Sequence, residues 1–72
     1  MDLATLLSKF QIQEFDQSYF LYSEDENVRY NLINFLNPSY NTLRYTFKLE
    51  HNHIIINSIT YNYLVSTAFK TH

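Results

Sequence analysis

The chain has no cysteine, no glycine and only one proline in 72 residues. Without cysteine there is no disulfide to staple a small fold and no thiolate for a zinc site, and nothing in the composition records a redox compartment. Without glycine, neither the phosphate-cradling P-loop nor the dinucleotide-binding fingerprint can form, since both need backbone that approaches a phosphate closely. Turns that require a positive φ must use asparagine or aspartate instead. Asn37, Asn41, Asn52 and Asn57 stand where such turns are wanted.

Basic residues are scarce. Residues 1–36 carry six acids against two bases, and residues 37–72 carry one acid against three bases, for a net charge of −2. Neither half has the dense basic patch that binding to a phosphate backbone uses. The acids are too few to imitate DNA along the whole chain. No apolar run approaches the roughly 18 residues that span a bilayer. The start of the chain lacks the basic-then-apolar layout of a signal peptide, so a cytoplasmic protein is expected.

What is present is a large apolar and aromatic fraction: 46% hydrophobic residues, with seven Tyr and six Phe. That is too apolar for disorder. A domain of this size buries only about 60% of the surface its unfolded chain exposes. A dense core or a partner must supply the rest of its stability, and the chain reads as one domain over 1–72.

Asp2 is placed to cap a first helix over about residues 3–10. Leu3, Leu6, Leu7 and Phe10 follow at the spacing of one helical face. Ile12 and Phe15 extend that face or belong to a loop. Ser18 to Tyr22 is short and aromatic and suits a brief strand. Ser23-Glu24-Asp25-Glu26 has the form of a capping box, with acids at the positive end of the helix dipole. A second helix follows, with Val28, Leu32 and Leu36 in a row widened by Ile33 and Phe35. Asn37-Pro38 ends it.

Ser39 to Asn41 reads as a turn. Thr42 to Leu49 alternates: Leu43, Tyr45, Phe47 and Leu49 face one way, and Arg44, Thr46 and Lys48 the other. Glu50 to His53 is expected to turn, with Asn52 left-handed, into a return strand over Ile54–Ile59. For Thr60 to Lys70, the Tyr, Val and Thr content favours a strand. On a helix, Leu64, Ala68 and Ile59 would roughly align. The expected fold class is α+β: two helices packed on one face of a small antiparallel sheet of about three strands, with a short fourth strand at Ser18–Tyr22 as an addition.

No motif carries catalysis. His51 and His53 with Glu50 could contribute metal ligands, but two imidazoles and a carboxylate on a turn seldom close a zinc site, so a polar hairpin tip is expected and no metal or cofactor. The Glu24–Glu26 run is explained by the helix start, and no Ser–His–acid arrangement stands out. A chain of this size also leaves little scaffold around a pocket of ordinary volume.

Tyrosine is the unusual feature. Tyr19, Tyr22, Tyr30, Tyr40, Tyr45, Tyr61 and Tyr63 are too many for so small a core. Tyrosine offers large contact area at low entropic cost, which suits binding surfaces. The segment His53–Ile59 carries three consecutive isoleucines and no formal charge at neutral pH. On an open edge it would be an aggregation hazard. Ile55, with Tyr61 or Tyr63 if the last segment is a strand, is expected to form an apolar patch on the uncovered sheet face.

These features point to a small non-enzymatic protein-binding regulator or inhibitor, of the kind a phage or mobile element encodes. Tyr40, Tyr45, Ile55, Tyr61 and Tyr63 are its candidate contact residues, and its partner is another protein or a second copy in a two-fold dimer. Two alternatives stand beside it. One is a nucleic-acid module that uses sheet tyrosines with Arg44 and Lys48, which the acidic first half disfavours. The other is an accessory subunit of a larger complex.

Overall fold

The computed structural model describes residues 2–36 and 47–70. These form three helices and a four-stranded antiparallel sheet, an α+β arrangement: α1 (Leu3–Ser8), β1 (Gln11–Phe15), β2 (Ser18–Tyr22), α2 (Glu26–Leu36), β3 (Phe47–Glu50), β4 (His53–Asn57) and α3 (Ser58–Ala68). The strand order is β1-β2-β4-β3, so two hairpins join along their inner strands.

Asp2 caps α1, its carboxylate accepting the Thr5 N–H at 2.7 Å. The helix stops at Ser8, short of the expected residue 10. Leu6, Leu7 and Phe10 still turn into the core. Ile12 and Phe15 belong to neither a longer helix nor a loop. They lie in β1, which pairs with β2 across a two-residue connection, Phe15 opposite Ser18. Asp16 and Gln17 both take positive φ, 51° and 65°. Two left-handed residues in a two-residue hairpin loop are what a type I′ turn requires. In a chain without glycine, an Asp and a Gln carry it.

The second helix starts later than the capping box implied. The Ser23 hydroxyl accepts the Asp25 N–H at 3.1 Å, closing a local turn. It is the Asp25 carboxylate that accepts the Asn27 N–H, at 2.9 Å, while the Asp25 carbonyl takes the Arg29 N–H. Asp25 is therefore the cap, and Glu26 is the first helical residue. The Arg29 guanidinium reaches back to the Ser23 carbonyl. From there α2 follows its pattern: Val28, Leu32 and Leu36 are buried, and Ile33 and Phe35 pack beside them.

Only the end of the expected strand 42–49, and none of the turn at 39–41, lies within the described residues. β3 begins at Phe47. At the turn between β3 and β4 it is His51, not Asn52, that takes positive φ. β4 is an inner strand, paired with β2 on one side and β3 on the other. Its backbone is thus satisfied, and the three isoleucines present no open edge.

The last segment is a helix, which corrects the strand favoured by its Tyr, Val and Thr content. Asn57 ends β4 with φ −82° and ψ 173°, and its side-chain oxygen accepts the Thr60 N–H at 2.8 Å. It is an N-cap, not a left-handed turn residue. α3 then buries Thr60 and Leu64 completely and packs Tyr61, Tyr63 and Ala68 against the core, leaving Ile59 exposed. A stacked pair, Tyr19 on β2 and Tyr61 on α3, ties the helix to the sheet with ring centroids 3.8 Å apart and planes within 5°. Phe35 and Tyr63 meet between α2 and α3 at 6.5 Å.

One hydrophobic cluster unites these elements. The three helices supply Leu6, Leu7, Val28, Leu32, Leu36 and Leu64, the loop after α1 supplies Phe10, and the sheet supplies Leu21, Ile54 and Ile56. Leu21 pairs with Ile54, and Tyr19 with Ile56, so these side chains share one face. All three helices therefore pack on that face.

Candidate functional site in the open face of the sheet

Period-two alternation assigns every neighbour of those buried residues to the opposite face. On β2 these are Phe20 and Tyr22, on β4 His53 and Ile55, on β1 Gln11, Gln13 and Phe15, and on β3 Lys48 and Glu50. The register sets them in rows. Gln11, Tyr22, His53 and Glu50 lie across one row; Gln13, Phe20, Ile55 and Lys48 lie across the next. None of these residues joins the helix-covered cluster. The inner-strand residues are half-buried, and Phe15 at the hairpin end is largely exposed.

The rings form angled walls. The Phe20 ring stands edge-on to the His53 ring, at 87° and 6.3 Å between centroids. Tyr22, directly across from His53, is tilted to it at 59° and 5.4 Å. Between these rings and the amides of Gln11 and Gln13 lies an open groove of about 620 Å³, with Ile12 at its border.

Charge sits at the ends of the rows. The Tyr22 hydroxyl donates to the Glu24 carboxylate, and this bond, with Glu24's charge, holds the phenol above its ordinary pKa. Lys48 and Glu50, two apart on β3, pair at 2.7 Å. The pair raises the Lys48 pKa and lowers that of Glu50. Both side chains are largely exposed, so the bridge contributes little to stability.

The five expected contact residues fall in three places. Tyr40, Tyr45 and Arg44 lie outside the described residues. Ile55 is on the open face as expected. Tyr61 and Tyr63 are on α3, packed on the opposite side of the sheet, so the patch imagined for Ile55 with either of them does not form. Phe20, Tyr22 and His53 share the open face with Ile55 instead. One signal for them was in the sequence: QIQEF and the aromatic SYFLY are separated by only two residues, one an aspartate, the spacing of a tight hairpin.

No group of three or more His, Asp or Glu side chains close enough for a metal ion occurs among the described residues. His51 is exposed on the turn, and His53 points into the groove with the aromatic rings. No helix among the described residues is long and apolar enough to cross a membrane. No protein-family model, curated protein or solved structure matches this chain.

Proposed function

We propose that the chain is a non-enzymatic protein-binding module that docks its partner on the open face of the sheet. The observation that carries this reading is the band of Phe20, Tyr22, His53 and Ile55 on the two inner strands, with no described helix packed over it. Contiguous apolar surface rimmed by polar groups is the usual mark of a protein contact. Tyrosine, phenylalanine and histidine rings give such a surface rigid area at little entropic cost. Gln11 and Gln13 supply a polar border, and the Lys48–Glu50 pair supplies another. Regulation or inhibition of the bound protein is the role that suits so small a binding module.

Base stacking on Phe20 and Tyr22 is the rival use of such a face. The sole lysine in these rows, Lys48, is engaged by Glu50, which leaves little charge for a phosphate backbone. The protein reading is tested by affinity capture from the native host with the wild type, Ile55→Glu and Asn31→Glu. Lys48 stands opposite Ile55, so a glutamate there has a cation beside it and the sheet survives. Asn31 is exposed on α2. A protein held by the wild type and by Asn31→Glu, but released by Ile55→Glu, is the expected result. A partner retained by Ile55→Glu overturns the reading.

A further inference from the structure

The groove has a chemistry of its own, and this inference rests on the docking reading above. Three rings at steep angles to one another, Phe20, Tyr22 and His53, line it with the two primary amides of Gln11 and Gln13. Among the described residues, no lysine or arginine lines it. Each of the two rings in its outer row has a carboxylate neighbour. Glu24 is bound to the Tyr22 hydroxyl, and Glu50 is the cross-strand partner of His53. Among the described residues, Lys48 is paired with Glu50, and the Arg29 guanidinium donates to the Ser23 carbonyl.

Ring faces attract cations, amide carbonyls accept N–H donors, and a carboxylate supplies the charge. A planar guanidinium uses all three, since it stacks on rings and donates in a fixed fork, whereas an ammonium is a compact and strongly hydrated point charge. We propose that the groove receives an arginine side chain from a segment of the partner protein, stacked among Phe20, Tyr22 and His53 and held at its end by Glu24. The rest of that segment lies along the apolar band toward Ile55. Glu24, bonded to the groove's Tyr22, opens the acidic run Glu24–Glu26, which favours a basic segment over an acidic one.

The test uses the full chain, isotope-labelled, and observes its backbone amides by NMR. The probes are a capped tripeptide with arginine between two alanines, the same peptide with citrulline, and a short single-stranded oligonucleotide. Citrulline keeps the shape and removes the charge. The expected result is a set of saturable shifts at Gln11, Gln13, Phe20, Tyr22 and His53 with the arginine peptide. Its affinity should exceed that of the citrulline peptide by about tenfold, the size of one cation–π or charge-assisted contact. Glu24→Gln, an exposed change, should reduce arginine binding severalfold with the spectrum otherwise unchanged. Equal binding of the two peptides, or shifts at the start of α2 but not in the groove, overturns the proposal. So does an oligonucleotide that shifts the groove residues when the arginine peptide does not. If the arginine peptide fails but Ile55→Glu still releases the partner, only the arginine assignment falls. If Ile55→Glu releases nothing, the docking face itself falls.

Discussion

On the inner strands, both faces of one sheet carry large apolar side chains, with opposite fates. On β4, Ile54 and Ile56 are sealed beneath the helices, while Ile55 between them is half-buried on the other side. On β2, Leu21 is sealed and Tyr19 packs against the core, while Phe20 and Tyr22 face the groove. Hydrophobicity alone does not separate them. What separates them is whether a helix has an apolar row to lay against that side. All three described helices pack on one side, and no described helix covers the second face. The helix-covered face holds the fold together.

The adjacent isoleucines give the largest test of that contrast. Ile54→Ala removes a side chain with no exposure and leaves a cavity between sheet and helices, at a cost of about 2–5 kcal/mol. Ile55→Ala removes the same atoms from a half-open site and is expected to cost about 1 kcal/mol by area removed from water. Chemical denaturation of the two variants measures both. Equal losses would mean that the open face is as much core as the covered one.

The covered face also depends on α3 being a helix. Asn57→Ala removes its cap and should destabilise the fold by about 1 kcal/mol, together with some loss of helical circular dichroism. An unchanged denaturation midpoint would show that packing of Thr60 and Leu64 holds the helix start without a cap.

The hairpin that presents Phe20 to the open face contains its own weak point. Gln17 holds φ at 65°, where a side chain with a Cβ is disfavoured. Gln17→Gly relieves that conformation but loosens the unfolded chain. A net gain of about 0.5–1 kcal/mol is expected, read as a higher denaturation midpoint. A loss would mean that the Gln side chain contributes a contact that outweighs the strain.

The smallest effect is electrostatic. Lys48 lowers the Glu50 pKa, chiefly by their hydrogen bond. A carboxylate depressed on folding contributes above its unfolded pKa, and the contribution is lost as pH falls through the folded value. The small stability difference between wild type and Glu50→Gln should therefore be present near neutral pH and vanish in acid below the ordinary glutamate range. A difference that persists there would assign it to packing instead.

Local patterns in the sequence determined a good deal of this protein. The rows Leu3-Leu6-Leu7 and Val28-Leu32-Leu36 determined which sides of α1 and α2 are buried, because a helical period admits one apolar face. The alternation at Phe47-Lys48-Leu49 placed Lys48 in solvent, and Asp2 marked the start of α1. Two features were settled only by the tertiary structure. The segment 58–68 has side chains that suit a strand, but such preferences span only about 1 kcal/mol. A cap at Asn57 and the burial of Thr60, Leu64 and Ala68 along one helical face outweigh them. Ile55 was expected on the uncovered face, but its own strand does not determine which side that is. Ile54-Ile55-Ile56 is apolar on both sides, so a single strand cannot say which side the helices cover. Register with Leu21 and the placement of Leu6, Leu32 and Leu64 decide it, and both are contacts between residues far apart in the chain.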